Sequence, residues 1–555
     1  MAESKIRVSS PGSKISIWFG TRASIDSRMN DGSVLIVPSA GDQDDFGFKT
    51  RVEVRARLVK DDFELVFEAY IGFMGGADER NGSQKLDSLV EEAEGDSLHP
   101  LDAQRFFTML PDMESYRRLV QKCGVTRAVA LLTAMRDVVA FNKIRGNSSW
   151  VESAVNTDVF LKSFIRSSES YFAYKKAGAV LKGLEFEEFH ELPRSLAIRF
   201  QLAGRSNEHM LKFRFEHDTD LPKRIAVIIG KNGVGKSQAL SRIVTAALKG
   251  DDSFSEGEDG NRVLLNRILA FAPTNEAGTV FPRQPTKTPR VWYRRFTLNR
   301  GAANRKKDGL ADHILQVARS EEHIGELSRW AIFFEALKAI DNWQQIALPV
   351  KAPTVLPILL SRLKGKGEKE NIDTFAAVNL HKEPVRLVND VSYPLSSGEI
   401  SFLRFAAHAS LYVENGSLLL LDEPETHLHP NFISQFVALL DELLHRTGSA
   451  AIIATHSAYF VREVFQDQVT VLRHDDDGYV RSETPTLRTF GADIGAISYF
   501  VFGEDEPSVL AHRVEKKLRS RFNTWEEVYE RYKHELSLEI LGIIKDSMEA
   551  GQVDE

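Results

Sequence analysis

The feature that most constrains this chain is a glycine-rich loop placed directly after a strand-like apolar run. Residues 225–229 are all apolar, and residues 230–237 follow the pattern Gly-x4-Gly-Lys-Ser. Glycines let successive backbone N–H groups turn toward one phosphate, and a helix that follows directs its positive N-terminal end at the same anion. The loop therefore predicts a binding site for a nucleoside triphosphate.

The residues of this loop have separate predicted roles. Lys236 can reach the β- and γ-phosphates, and the Ser237 hydroxyl can hold Mg²⁺. The next residues are amphipathic and end at Gly250, which predicts a helix behind the loop. We expect ATP to contact Gly230, Lys231, Asn232, Gly233, Val234, Gly235, Lys236, Ser237 and Gln238.

Two acids follow a second strand-like run at residues 417–421, which is one serine and four leucines. Asp422 is placed to hold the hydrated Mg²⁺ together with Ser237, and Glu423 to orient or deprotonate the attacking water. The predicted cofactors are therefore ATP and Mg²⁺, and the predicted reaction is ATP hydrolysis.

Two further segments complete a recognisable set. Residues 395–399 read LSSGE, and His456 ends another short apolar strand. In this order and spacing the four segments resemble the phosphate loop, signature, Walker B strand and switch histidine of ABC-type ATPases. The resemblance implies catalytic roles for Lys236, Glu423 and His456. It also implies nucleotide contacts from the signature residues Ser396, Ser397, Gly398 and Glu399.

The loop after the two acids helps to distinguish classes of ABC ATPase. Residues 423–430 read EPETHLHP, which is similar to soluble members such as the SMC/Rad50/RecF group, the OLD nucleases and antiphage ATPases. Two histidines, His427 and His429, fall short of a metal ligand set, so lining a dimer interface is the preferred interpretation. Residues 475–478 (DDDG) are interpreted as a hairpin turn, and no intrinsic nuclease centre is found.

Residues 489–498 and 501–503, together with the absence of a nuclease motif, narrow the resemblance. Over residues 195–510 the chain resembles the PtuA-type ABC ATPases of Septu antiphage systems. That family implies a homodimer or higher homo-oligomer that regulates a separate PtuB-like HNH nuclease. A retron-associated form would also bind a reverse transcriptase and its RNA–DNA product. The alternative is a RecF/SMC/Rad50-like DNA-repair ATPase without a long coiled coil.

The implied fold is α/β. An ABC-type ATPase head, with a mixed P-loop sheet, an antiparallel β subdomain and a helical lid at about 305–385, is expected within residues 184–503. Residues 1–183 are predicted to be a β-rich and helical extension, which either adds strands to the head or forms its own unit. Residues 74–100 have the composition of a mobile linker. Residues 504–555 predict a helical tail that packs on the head or docks a partner.

The most basic stretch is residues 283–307, where nine Lys or Arg residues occur without an acid. Trp292, Tyr293 and Phe296 interleave with them. Because the chain has a net charge of −7, any nucleic-acid contact must come from such a local patch. The stretch either grips a nucleic acid or is a solvated lid that helps to neutralise the nucleotide. The nucleic-acid candidates are Arg290, Arg294, Arg295 and Arg300.

Three observations bear on localisation. The chain has a single cysteine among 555 residues, its N-terminus has no apolar leader, and no apolar run has the length of a membrane span. Together they predict a cytoplasmic protein without a membrane partner.

ABC heads usually place a glutamine near Mg²⁺ after the strand that follows the phosphate-loop helix. Here Asn275, Glu276 and Gln284 are the open alternatives.

Overall fold

Strands near the N-terminus form a sheet of their own. In chain order they are β1 (Ser16–Gly20), β2 (Ser33–Pro38), β3 (Arg51–Arg57), β4 (Leu65–Phe73), β5 (Ser97–Leu98) and β6 (Phe106–Met109). Their order across the sheet is β5-β1-β2-β3-β4-β6, and β1 and β2 are parallel. Alternate residues of β3 point into the core, as period two requires. Among the described residues, these strands do not extend the sheet that carries the phosphate loop.

This computed structural model describes the chain in segments. They are residues 15–25, 30–39, 48–58, 64–75, 82–92, 97–99, 105–144, 149–183, 194–202, 208–216, 221–257, 261–272, 280–283, 289–298, 309–320, 322–324, 327–338, 340–364, 367–428, 430–474, 479–502, 509–522 and 524–550.

Helices pack on the N-terminal sheet around one apolar core. They are α1 (Ser83–Glu92), α2 (Met113–Cys123), α3 (Val125–Ala134), α4 (Val138–Ile144), α5 (Ser149–Val155) and α6 (Ser168–Lys176). The prediction of a mobile linker at residues 74–100 is wrong where the structure describes it. Leu86 and Val90 lie four residues apart on α1 and are buried. This acid-rich segment is therefore an amphipathic helix.

From residue 195 onward the chain alternates strands and helices. The strands are β7 (Ser195–Gln201), β8 (Glu208–Arg214), β9 (Ile225–Gly230), β10 (Phe254–Glu256), β11 (Arg267–Ala272), β12 (Trp292–Thr297), β13 (His323–Ile324), β14 (Leu327–Ser328), β15 (Ile346–Leu348), β16 (Ile358–Leu359), β17 (Val385–Val388), β18 (Val391–Pro394), β19 (Leu418–Asp422), β20 (Ala450–Thr455), β21 (Val469–His474) and β22 (Val480–Glu483). The helices are α7 (Lys236–Lys249), α8 (Leu310–Arg319), α9 (Arg329–Leu337), α10 (Glu368–Ala377), α11 (Ser397–Tyr412), α12 (Pro430–Thr447), α13 (Ala458–Arg462), α14 (Ile494–Phe502), α15 (Val509–Arg521), α16 (Trp525–Tyr532) and α17 (Leu538–Ala550).

The central sheet has the order β12-β11-β19-β20-β9-β21-β22. Its strands run parallel except for β22, which forms an antiparallel hairpin with β21. The inner strands β9, β19 and β20 are buried along their whole length, as expected for a sheet covered on both faces. A separate antiparallel sheet, β10-β7-β8, packs against α7. The predicted α/β fold of the ABC ATPase kind, with a mixed sheet and an antiparallel β subdomain, is confirmed.

The region predicted to be a helical lid contains α8, α9 and α10. A small antiparallel sheet in the order β16-β15-β17-β18 begins within this region and continues past residue 385 to Pro394, shortly before α11. Three C-terminal helices, α15 to α17, share their own apolar cluster around Leu518, Val528 and Ile544. The described tail therefore packs on itself. Thr524 directly precedes α16, and its side chain makes no capping hydrogen bond.

Buried ion pairs join the N-terminal helices to the head. Arg117 on α2 donates to Glu414 at 2.7 Å, and Arg329 on α9 donates to the same carboxylate. Glu414 follows α11 and is 2% exposed. Burial raises its pKa, but the two guanidinium groups, with Arg267, outweigh burial and hold the pKa at about 2. A fully ionised carboxylate thus ties both regions together at the C-terminal end of α11.

Candidate nucleotide-binding site

The candidate site lies at one edge of the central sheet, where three parallel strands end. The strand β20 lies between β9, which leads into the phosphate loop, and β19, which leads into the two acids. Asp422 is paired with Ala454, and Thr455 with Ile229, so the three strands end level with each other. In open α/β sheets, ligands bind outside the carboxyl ends of the strands. The register therefore brings the phosphate loop, the acids and His456 to one edge.

Two glycines of the phosphate loop are required by their surroundings. A Cβ on Gly230 would lie 2.3 Å from the backbone oxygen of Leu472. Gly235 has a φ of +96°, and a Cβ there would lie 2.4 Å from Cδ2 of Leu202. The left-handed backbone of Gly235, directly before the first residue of α7, allows the chain to change direction and enter the helix. The loop is thus closely packed from both sides.

Lys236 lies inside this loop and is 4% exposed. Its ammonium donates to the backbone oxygens of Gly230 at 2.8 Å and Lys231 at 3.1 Å. Burial lowers the pKa of Lys236, while the nearby carboxylates of Glu423 and Asp422 raise it. These contacts hold a positive charge within the loop, where a nucleotide phosphate would bind.

Asp422 and Ser237 form the predicted metal pair. Asp422 is 5% exposed, and the Ser237 hydroxyl lies close enough to its carboxyl group to lower the pKa of that group. Burial is the main reason that its pKa is raised to about 6, with a further contribution from Glu423. The buried Oδ1 atom has no hydrogen-bond partner within the described residues. A hydroxyl beside a carboxylate with a free oxygen fits Mg²⁺, which usually takes one or two carboxylates plus phosphate oxygens.

Glu423 begins where β19 ends and has a left-handed backbone, with φ 42° and ψ 53°. Its backbone N–H donates to Ala454 at 2.8 Å. Non-glycine residues rarely adopt this conformation, and such outliers cluster at functional sites. The side chain is 34% exposed, and its Oε1 lies 3.7 Å from Nδ1 of His456. The turn therefore lifts the Glu423 carboxylate out of the sheet, to a position that water can reach.

Glu425 is a site residue whose role was not predicted from the sequence. Its Oε1 accepts the backbone N–H of His456 at 2.9 Å and the Thr455 hydroxyl, and it lies 3.2 Å from the His456 Nδ1. Burial raises the pKa of Glu425, whereas the hydrogen bond from Thr455 lowers it. The only sequence signal is the second acid of the EPET segment. Glu425 positions His456 and does not replace Glu423.

The signature residues lie at the N-terminal end of α11. Ser396 is the helix cap, and its hydroxyl accepts the Glu399 N–H at 3.2 Å. In return, the Glu399 carboxylate accepts the Ser396 N–H at 2.8 Å, which completes a capping box. Arg386 also donates to Glu399. Burial raises the pKa of Glu399, but the hydrogen bonds from Ser396 and Arg386 outweigh burial and lower it. Glu399 thus holds the loop in shape while Ser397 stays exposed.

Three described arginines of the basic stretch, Arg290, Arg294 and Arg295, make contacts within the chain. Arg290 donates to Gly250 at 3.4 Å, and Arg295 donates to Phe281 at 3.1 Å. The Arg294 guanidinium lies 4.1 Å from the centre of the Tyr412 ring. Two of the three aromatic residues, Tyr293 and Phe296, are buried at 2% and 5% exposure. These contacts favour a structural role within the chain over nucleic-acid binding.

Several predicted residues lie outside the described part of the chain. They are Asn275, Glu276, Gln284, Arg300, His429 and residues 475–478, and the His427 side chain is likewise not described. The strands β21 and β22 that flank residues 475–478 do form the predicted hairpin. Among described residues, no group of three or more His, Cys, Asp or Glu side chains is arranged to hold a metal ion. In the same residues no helix is both long and apolar enough to span a membrane.

Comparison with known families gives one partial match. Residues 299–462 match a model described as "AAA domain, putative AbiEii toxin, Type IV TA system". This segment contains the signature, the two acids and His456, whereas the phosphate loop lies before it. The match covers less than a third of the chain.

Relatives and solved structures are more distant. Protein ea59 of Escherichia phage lambda is 23% identical over 496 residues, covering 86% of this chain and 87% of the phage protein. UvrABC system protein A of Chlamydia trachomatis serovar D is 31% identical over 93 residues, which cover 17% of this chain and 5% of that protein. The crystal structure of UvrA2 from Deinococcus radiodurans is 12% identical, covering 56% of this chain and 40% of that chain, with a TM-score of 0.29.

The fold assignment depends on the chain's own strand order and phosphate loop, because a TM-score of 0.29 indicates little similarity between the two structures as a whole. The similarity to ea59 extends well beyond the segment matched by the family model. This chain therefore has the fold of a P-loop ATPase and contains a segment similar to an AAA domain.

Proposed function

We propose that this chain binds ATP with Mg²⁺ and hydrolyses it at the edge of the central sheet. The observation that carries the proposal is the convergence of five functional side chains at the carboxyl ends of adjacent strands. Lys236 lies within the phosphate loop, Ser237 lies beside Asp422, and Glu423 faces His456. A glycine-rich loop with only a structural role would need neither the buried ammonium nor the buried acid.

Each residue has one task in this reaction. The loop N–H groups and Lys236 bind the β- and γ-phosphates, and Ser237 and Asp422 would hold Mg²⁺, which supplies positive charge against the phosphate oxygens. Glu423 accepts a proton from, or orients, the attacking water. His456, held by Glu425, faces the same position. Loss of a general base of this kind typically slows a reaction by about 10²–10⁴-fold.

The signature residues complete the site from a second copy of the chain. In ABC-type ATPases, which this chain resembles, the signature of one subunit faces the γ-phosphate bound by the other. Here Ser396, Ser397 and Gly398 form the N-terminal end of α11, and such a helix end favours an anion. A homodimer with two-fold symmetry would therefore hold two composite sites.

The biological role that we propose is regulation of a partner nuclease in a Septu-like or retron-like antiphage complex. It depends on the sequence resemblance and on the absence of a recognisable nuclease motif in the sequence. The alternative is a RecF/SMC/Rad50-like DNA-repair ATPase. The two differ in partner: the first requires an HNH nuclease that co-purifies with this chain, and the second requires none and predicts ATP hydrolysis that DNA stimulates.

The test of the chemistry compares two variants with the wild type. Glu423→Gln is expected to bind ATP with nearly unchanged affinity and to hydrolyse it about 10²–10⁴-fold more slowly. Lys236→Ala is expected to lose ATP binding as well, because the phosphates lose their buried cation. Full turnover by purified Glu423→Gln would remove Glu423 from the proposed role. Failure of the wild type to bind ATP would contradict the function itself.

The test of the biological role is a co-purification from a host that carries the neighbouring genes. An HNH nuclease bound in a fixed ratio to this chain supports the antiphage assignment. An isolated ATPase, without a bound nuclease and with hydrolysis that DNA stimulates, supports the alternative instead.

A further inference from the structure

A groove lies between the antiparallel sheet β10-β7-β8 and the outer face of α7. Its volume is about 540 Å³, and it is open to solvent along one side. Three cationic side chains line it: Arg199 from β7, and Arg242 and Lys249 from α7. Asp251 is the one acid among the described lining residues, so these residues carry a net charge of +2.

The cations follow a line and do not converge on one point. Arg242 and Lys249 are seven residues apart, and residues at that spacing share a helix face about 10.5 Å apart along the axis. The opposite face of α7 is buried against the sheet. On the strand side, Lys212 is paired with Ala197 and Met210 with Arg199, which places Lys212 diagonally beside Arg199.

These cations differ from those of the basic stretch. Arg290, Arg294 and Arg295 donate to backbone oxygens or lie over rings within the chain. Arg199 and Arg242, by contrast, are exposed and extend along an open groove. In a chain with a net charge of −7, this local basic surface favours a partner of opposite charge.

We propose that this groove binds the phosphodiester backbone of a nucleic acid. Consecutive phosphates of one strand are 3.4 Å apart in projection on the axis of a duplex, so two cations about 10.5 Å apart can contact different phosphates of one strand. The one aromatic side chain in the lining, Phe200, is 8% exposed and cannot offer a stacking surface to a base. Binding is therefore electrostatic and independent of base sequence.

The groove is also joined to the nucleotide site. Leu202 lines the groove and lies against Gly235 of the phosphate loop. The helix that carries Arg242 and Lys249 begins at Lys236. A polyanion bound in the groove therefore contacts the same helix whose first turn faces the ATP phosphates.

The experiment uses the full chain with fluorescent 30-nucleotide duplex DNA, single-stranded DNA and single-stranded RNA. Arg242→Glu/Lys249→Glu is compared with Lys516→Glu/Lys517→Glu, a pair of exposed residues on α15 with the same change in net charge. The groove variant should weaken binding of the preferred oligonucleotide at least tenfold and reduce its salt slope by about 0.7–0.9 for each lost phosphate contact. The control should bind like the wild type.

Three outcomes would overturn the inference. They are unchanged binding by the groove variant, an equal loss in the Lys516/Lys517 control, and competition by inorganic phosphate at the phosphate concentration of the oligonucleotide. Basal ATP hydrolysis of the groove variant should equal that of the wild type. If the wild type hydrolyses no ATP, the proposed function fails, while the binding comparison still decides the role of the groove.

Discussion

Glu425 accepts the backbone N–H of His456 at 2.9 Å and lies 3.2 Å from the Nδ1 atom of its ring. The carboxylate is largely buried, at 8% side-chain exposure, whereas the His456 side chain is 49% exposed. An otherwise mobile histidine is thus held at its backbone and beside its ring by one fixed acid. The relationship assigns Glu425 a positioning role in the site.

Replacing Glu425 should therefore slow catalysis without abolishing nucleotide binding. In Glu425→Ala, His456 loses its anchor, and a misplacement of about 1 Å can cost about 10²-fold in rate. We expect a loss of this order in kcat with a KM within a few-fold of the wild type. Glu442→Ala, an exposed acid on α12, is the control. Equal kcat values for the two variants would contradict the positioning role.

Glu414 should be one of the positions most sensitive to substitution. Glu414→Gln removes the buried carboxylate that Arg117 and Arg329 share and leaves them only the more exposed Glu114 and Glu322 as charge partners. Removing one member of a buried ion pair typically costs about 3–5 kcal/mol. The free energy of unfolding in urea should fall by this amount, whereas Glu442→Gln, which breaks an exposed pair with Arg446, should cost less than about 1 kcal/mol. Similar losses for both would show that the cluster does not tie the two regions together.

The stability of the N-terminal region should depend on pH through Asp137. Burial raises the pKa of this carboxyl from 3.8 to about 7, against the hydrogen bonds from Ala140, Tyr116 and Val139. The folded state therefore holds a proton that the unfolded state releases, and stability falls as pH rises from about 4 to about 7.

Asp137→Asn removes this titration. Between pH 5 and pH 7, the free energy of unfolding of the wild type should decrease relative to that of the variant, with a slope of at most about 1.4 kcal/mol per pH unit. The same pH dependence of the free energy of unfolding in both proteins would show that Asp137 does not titrate as described.

Arg294 and Arg295 should matter for stability more than for nucleic-acid binding. The first lies over the Tyr412 ring, and the second donates to Phe281. Arg294→Glu/Arg295→Glu should lower the free energy of unfolding by about 1–3 kcal/mol, from one cation–π contact and one hydrogen bond. Oligonucleotide affinity should change less than in Arg242→Glu/Lys249→Glu. If oligonucleotide affinity falls further in the Arg294/Arg295 variant than in the Arg242/Lys249 variant, the basic stretch and not the groove binds the nucleic acid.

The parts of the fold that sequence predicts best are those with a local cause. The phosphate loop requires glycines, a lysine and a hydroxyl at fixed spacing. The apolar runs before Gly230 and Asp422 predict buried strands, and both are buried strands in the structure. The capping box at Ser396 is likewise local. These features need no knowledge of distant residues.

The features that escaped prediction depend on contacts between distant parts of the chain. Arg117 and Glu414 are separated by 297 residues, and no local pattern marks them as partners. For the basic stretch, nucleic-acid binding and a solvated lid both stayed open, because composition cannot show that Arg294 lies over Tyr412. The cations of the groove come from one strand and from one helix face, so they never form a run in the sequence.

The central claim is that ATP is hydrolysed at composite sites shared by two copies of the chain. The most direct measurement mixes Lys236→Ala with Ser397→Arg, each of which should be inactive alone. In a mixed dimer, one site combines an intact phosphate loop with an intact signature. The account predicts that the mixture regains a substantial fraction of the wild-type ATP turnover and sediments as a dimer with ATP. A mixture that stays inactive, from variants that remain folded, together with a wild type that is monomeric at saturating ATP, would contradict it.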